Sequence, residues 1–160
     1  MLQRVKLATD GCVNVFVDAG ANTGAHTRIL FEPSRHPESG FLKIFDKVFG
    51  ADRRLNNTCS IGFEPNPAYW TENEAIARAS ARAGVRYTFI KAALGTTSED
   101  QVYRGSATRV GSPKARLIRS ITRGEPSRIP KKERVMRVRS VSFEDVLAQI
   151  VRRRLPDDCH

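Results

Sequence analysis

The sequence predicts an α/β fold built on a βαβαβ unit, a parallel sheet with flanking helices. Three observations predict it. Short β-branched or aromatic runs recur at residues 13–17, 59–63 and 85–90; segments of helical spacing separate them; and the first run opens into the glycine-rich turn Ala19-Gly20-Ala21-Asn22-Thr23-Gly24. Strand, helix, strand, helix, strand in this order implies right-handed crossovers and parallel pairing. At 160 residues, with 40% hydrophobic and 28% charged residues, the composition is that of one globular domain.

Each element has its own signal. Residues 25–31 take helical spacing after the glycine turn, and Pro33 and Pro37 end it. The stretch 33–58 is long for a crossover, but Phe41, Leu42, Phe45, Val48 and Phe49 recur at helical spacing before Gly50. We read an inserted amphipathic helix there, packed on the sheet. The helix after the second strand has two candidate starts: Asn66 capping Pro67, or Thr71 with Glu74 as a capping box. Ala75, Ile76, Ala79 and Ala83 give it a small apolar face, and Gly84 stops it.

Beyond the third strand, residues 101–104 and 134–141 read as two strands that can pair around residues 105–133, a basic loop rich in Ser, Gly, Pro and Arg expected to be mobile. Ser142 then caps a last helix whose buried face is Phe143, Val146, Leu147, Ile150 and Val151. Arg152, Arg153 and Arg154 fall in its last turn, where the helix dipole favours positive charge.

The chain carries a formal net charge of +10, and its location is informative. From Arg104 to Arg139, nine Arg and three Lys stand against Glu125 and Glu133, so this one segment holds an excess equal to that of the whole chain. Such a segment could neutralise several phosphates, but aromatic residues for base stacking are lacking beyond Tyr103 at its edge. Nucleic acid is therefore not the expected partner. No run approaches the roughly 18 apolar residues of a membrane span, and residues 1–10 contain no secretory apolar block. Cys12, Cys59 and Cys159 lie far apart without metal-ligand spacing, and His26, His36 and His160 are equally scattered. We expect reduced, small buried thiols at Cys12 and Cys59, no metal, no disulfide framework and a cytoplasmic location.

Two constellations carry chemistry. Gly20 and Gly24 let the backbone turn tightly and approach a ligand. A dinucleotide turn of the form G-x-G-x-x-G would need a middle glycine where this chain has Asn22, which tolerates a left-handed conformation but crowds the path of a pyrophosphate. Alone, the loop does not discriminate between a tight turn and a binding loop. Glu64 ends the second strand, where a carboxylate can accept hydrogen bonds from both hydroxyls of a ribose; an acidic residue there can equally be a solvated turn residue. The flanking Pro65 and Pro67 stiffen the backbone about Asn66, which would shape an adenine wall.

Together these segments resemble the FkbM family of S-adenosylmethionine-dependent methyltransferases, of the class I Rossmann-like fold. Val17-Asp18-Ala19-Gly20-Ala21-Asn22-Thr23-Gly24 is similar to its D-x-G-A-N-x-G motif, and Gly62-Phe63-Glu64-Pro65-Asn66-Pro67 to its E-P-N-P motif. Ala93-Leu94-Gly95 resembles its A-[IL]-G, and residues 140–147, Ser-Val-Ser-Phe-Glu-Asp-Val-Leu, resemble its T-L-D-D-L segment. The resemblance implies that Asp18, Gly20, Asn22 and Gly24 surround the methionine portion of S-adenosylmethionine, Glu64 holds the ribose, and Asn66 with Ala92 borders adenine. It implies methyl transfer to a hydroxyl oxygen of a small molecule or sugar, by a displacement in which positioning supplies much of the rate. The insertion stretches the Asp18 to Glu64 spacing to 46 positions, against about 20 in the compact dinucleotide unit.

Family members continue into a fourth strand reading like L-K-I-D-x-E-G, whereas this chain stops at His160. The expectation is a single partial methyltransferase domain over residues 1–160, C-terminally incomplete, with strand one left unpaired on one side and activity depending on what the missing strand supplies. Two other functions fit parts of the sequence: a nicotinamide-dependent oxidoreductase, and a non-catalytic cofactor-binding or polyanion-binding module. The basic segment would then serve selection of an anionic acceptor, a polyanion partner, or solubility alone.

Overall fold

The computed structural model describes residues 1–52, 56–105, 116–118 and 134–151. It is mixed α/β, with helices flanking a three-stranded parallel sheet of order β1-β2-β3. These strands are β1 (Asn14–Ala19), β2 (Thr58–Phe63) and β3 (Arg86–Ile90). The register aligns Asp18 with Gly62 and Ala19 with Phe63, so the glycine turn and the Glu64 turn emerge side by side at one end of the sheet.

β2 is central and buried throughout, whereas β1 is mostly half-buried and, among the described residues, pairs only with β2. Alternation along β2 feeds two layers. Ile61 and Phe63 join Val15 and Val17 of β1 in a core closed by Val5 and Val146. Val5 belongs to α1 (Leu2–Ala8) and Val146 to α5 (Phe143–Val151). On the opposite face, Thr27 of α2 (Ala25–Phe31) meets Ser60 by a 2.9 Å hydroxyl hydrogen bond. Nearby, Phe16 packs edge-on against Phe45 of α3 (Gly40–Phe49), with ring centroids 5.1 Å apart.

The inserted helix is present, yet only Phe45 of its apolar residues is fully buried; Phe41, Ile44 and Val48 are exposed. The expectation of a helix packed on the sheet holds for one stripe only. Asn66 caps the short 3-10 turn Pro67–Tyr69, its Oδ1 accepting from Ala68 N–H at 3.0 Å, and this turn runs directly into α4 (Trp70–Arg82). Of the two candidate starts, the first is the one used. α1 has no sequence counterpart in our reading: Leu2, Val5 and Ala8 supply its apolar stripe within a decapeptide that is half polar.

The third strand is followed by β4 (Ala93–Gly95), which pairs in parallel with β8 (Ser140–Ser142). A separate antiparallel sheet places β5 (Gln101–Gly105) between β6 (Arg116–Ile118) and β7 (Arg134–Val138). The expected pairing of residues 101–104 with the later strand is therefore present. Within residues 105–133, read as a mobile basic loop, residues 116–118 form a strand; residues 106–115 and 119–133 lie outside the described residues. The run 134–141 is broken into two strands at Arg139, because β7 pairs with β5 and β8 with β4.

Ser142 caps α5 as expected, its Oγ accepting from Asp145 N–H at 3.3 Å. Phe143, Leu147 and Val151, expected on the buried face, are exposed; Val146 and Ile150 do the packing against α1 and the sheet. The arginines at 152–154, Cys159 and His160 lie outside the described residues.

The reading of Cys12 as a reduced thiol is also corrected. Cys12 is disulfide-bonded to Cys59, with Cα atoms 5.9 Å apart. The turn after α1, closed by Cys12 N–H donating to the Thr9 carbonyl at 3.2 Å, brings Cys12 to the start of β2 across 47 positions of sequence. That separation hides the pair from any spacing rule.

Candidate functional site

Glu64 organises the end of the sheet. Its side chain is buried, and each carboxylate oxygen accepts a backbone N–H: Oε2 from Asn22 at 2.8 Å and Oε1 from Asn66 at 2.7 Å. One carboxylate thus clasps the glycine turn and the Pro-Asn-Pro turn together, with lone pairs left over on both oxygens. Burial raises the Glu64 carboxyl above its ordinary value, the Asn66 and Asn22 amides oppose that shift, and the nearby Asp18 adds to it.

The turn itself is strained in the way its residues allow. Gly20 has φ 93°, Gly24 φ 72°, and Asn22 is the single described non-glycine residue at positive φ, at 50°. Its amides are mostly committed. Gly20 and Ala21 N–H both donate to the Phe63 carbonyl at 2.9 Å, Gly24 N–H donates to Ala21 at 2.7 Å, and Asn22 N–H goes to Glu64. A pyrophosphate cradle needs such amides free. Four of this turn's amides, those of Gly20, Ala21, Asn22 and Gly24, are already committed.

Asp18, one turn further in, is buried, and its Oδ1 lies 3.1 Å from Nδ1 of His26. Its Oδ2 is buried without a hydrogen-bond partner among the described residues. The imidazole rests on Phe41 of the inserted helix, centroids 4.5 Å apart, with its side chain 38% exposed. His26 escaped the sequence reading because nothing in the spacing pairs it with Asp18; the two face each other only because α2 begins immediately after the turn.

Asn73 was missed for a similar reason. It lies wholly buried on α4, where its amide donates to the Asn22 carbonyl at 2.5 Å and the Tyr69 carbonyl at 3.0 Å, while its Oδ1 accepts from the Tyr87 hydroxyl at 2.8 Å. Burial first, then the charges of Asp18 and Glu64, keep that phenol protonated. A polar residue in an otherwise small apolar helix face is the only sequence signal it gives.

The structure therefore brings Asp18, Gly20, Asn22, Gly24, Glu64 and Asn66 to one end of the sheet. The Asn66 Oδ1 is spent on its capping bond, its N–H on Glu64 and its carbonyl on Tyr69 N–H, so its side-chain amide nitrogen is what it can offer a ligand. Ala92 lies beside the cradle, since Ile90 accepts from both Glu64 N–H at 3.2 Å and Ala92 N–H at 2.9 Å. The Ala92 methyl, however, belongs to the central core, which leaves its carbonyl as its polar contribution. No group of three or more His, Cys, Asp or Glu side chains able to hold a metal occurs among the described residues, and no helix there is long and apolar enough to cross a membrane. No family model, curated protein or solved structure matches the chain.

Proposed function

We propose that the chain is a Rossmann-like S-adenosylmethionine-binding domain of the FkbM methyltransferase type, which directs a methyl group to a hydroxyl oxygen of a small molecule or sugar. The observation that carries this reading is the 2.8 Å hydrogen bond from Asn22 N–H to Glu64. It joins the two motifs on which the resemblance rests, 42 positions apart, into one cradle.

The residues suit the cofactor on their own chemistry. The orphaned Oδ2 of Asp18 is an anionic acceptor fitted to a cationic ligand end, here the amino or sulfonium group. Glu64 retains acceptor capacity for ribose hydroxyls. The committed turn amides disfavour a dinucleotide, and so rank the nicotinamide reading lower. When bound, the cofactor supplies an electrophilic methyl group. The chain's own contribution to transfer is at His26: with Nδ1–H donated to Asp18, Nε2 is left as the basic nitrogen that can take the proton of an acceptor hydroxyl.

Calorimetric titration with S-adenosylmethionine and its demethylated product, with NADH as the competing ligand, tests the reading. Binding of the first two that is weakened at least about tenfold by Glu64→Ala, the equivalent of one charge-assisted hydrogen bond, is the expected result. A folded chain that binds neither, or binds NADH more tightly, overturns it.

A further inference from the structure

A cavity of about 900 Å³ runs along β3 from Tyr87 to Lys91 and reaches Pro67 at the edge of the Pro-Asn-Pro turn, without touching the glycine turn. Its origin is topological. The chain leaving β3 and the chain entering β8 come together at Ala93, whose N–H donates to the Arg139 carbonyl at 2.8 Å. Beside that point, β3 and residues 137–139 both line the slot. Met1 and, from α1, Arg4 line it, while α4 contributes Trp70, Glu74 and Arg78, one residue per turn of a single helix face.

The charge of the lining is one-sided. Arg4, Arg78, Lys91, Arg137 and Arg139 face it, with Glu74 the one carboxylate among the described lining residues. Lys91 uses up that carboxylate at 2.5 Å, while lying 5.0 Å above the Trp70 ring. Arg4, Arg137 and Arg139 have no ion pair with any described residue. Cations converging in a walled slot repel one another unless an anion joins them. Guanidinium groups in particular present paired donors that match phosphate oxygens. An added peptide strand fits less well, since Arg4 donates to the Phe89 carbonyl at 3.5 Å and so covers the strand edge.

We infer that this slot is a binding site for a small molecule carrying two or more phosphate groups, adjoining the Glu64 cradle but not using the Glu64 carboxylate. Arg78 of α4 and Arg139 between β7 and β8 grip the phosphates; Arg4 and Arg137 add charge; Trp70 also lines the slot. The inference does not depend on the methyltransferase reading. The two sites do meet at Trp70, whose Nε1–H donates to the Glu64 carbonyl at 3.0 Å. Occupation of the slot therefore perturbs the single tryptophan of the chain.

The test is titration of the whole chain with inorganic tripolyphosphate, followed by Trp70 fluorescence and calorimetry. Saturable one-to-one binding is expected, weakened at least about tenfold by the double variant Arg78→Ala/Arg139→Ala and by less with Arg78→Lys/Arg139→Lys, which keeps the charge but loses the paired donors. Both positions are exposed, so the variants keep the fold, which circular dichroism checks. Glu64→Ala should leave the tripolyphosphate affinity unchanged. Absence of saturable binding overturns the inference. So does binding that survives the double alanine variant, or that falls equally with Arg119→Ala/Arg123→Ala, because the anion would then be held by residues 105–133 rather than by the slot.

Discussion

Asp18 and His26 face each other across 3.1 Å at the mouth of the glycine turn, a buried carboxylate against a partly exposed imidazole. A carboxylate on Nδ1 fixes the neutral ring in the Nδ1–H tautomer and turns Nε2 outward. Nitrogen NMR of the histidines should show His26 in that tautomer, and Asp18→Asn should return it to the mixture of a free imidazole. A ring already protonated at Nε2 in the native chain would remove His26 as the proton acceptor. If the role is correct, His26→Ala lowers turnover on any acceptor found by about 10²–10⁴ while leaving the affinity for S-adenosylmethionine in place.

Glu64 gives the chain a pH dependence of defined sign. Its folded-state carboxyl lies above the ordinary value of 4.5, so the folded chain holds the proton more tightly than the unfolded chain does. Stability from this group is fully present below 4.5 and is lost as pH rises through the folded value. Urea unfolding between about pH 4 and pH 7 should show that decline, and Glu64→Gln should flatten it. Ribose binding runs the other way, because only the ionised carboxylate keeps all its acceptor sites. Affinity for S-adenosylmethionine should strengthen over the same window in which stability declines.

The two glycines of the turn should differ in their tolerance of a methyl group. A Cβ at Gly24 would lie 2.6 Å from Ile76 Cδ1 and 3.0 Å from Asn73 Oδ1, whereas a Cβ at Gly20 meets nothing within 4 Å. Both positions have positive φ and incur the left-handed penalty of about 1–2 kcal/mol. Gly24→Ala additionally forces the α4 contact apart, for about 1–3 kcal/mol more. Denaturant midpoints should therefore rank wild type above Gly20→Ala and Gly20→Ala above Gly24→Ala; equal midpoints for the two variants would mean that Asn73 does not press on the turn.

What the sequence made legible follows from the range of the interaction. Strands β1, β2 and β3, the capping by Asn66 and Ser142, and the stop at Gly50 are written in neighbouring residues, and each stands within a residue or two of where it was read. Asp18, Gly20, Asn22, Gly24, Glu64 and Asn66 were legible as candidates because strand ends in a parallel sheet must meet at one edge. Asn73 and His26 were not, since their partners are chosen by how helices dock on the sheet. The exposed residues Phe41, Val48, Phe143, Leu147 and Val151 show the limit of periodicity. Helical spacing tells which residues share a face, not whether another element arrives to cover it.

The Cys12–Cys59 bond carries the last prediction, and its magnitude follows from chain entropy. Joining two positions 47 apart in sequence removes conformations mainly from the unfolded chain, an effect of about 4 kcal/mol. The bond also ties the loop after α1 to buried Cys59 of the central strand, so its loss frees the helix whose Val5 helps close the core. Reduction, or the Cys12→Ser substitution, should lower the stability by about that amount in urea without changing the Glu64 cradle, which lies at the far end of β2. Alkylation of the unfolded but unreduced chain should label one of the three cysteines, and all three after reduction. Equal urea midpoints with and without reductant, together with three labels throughout, would return Cys12 and Cys59 to the reduced state that composition alone suggests.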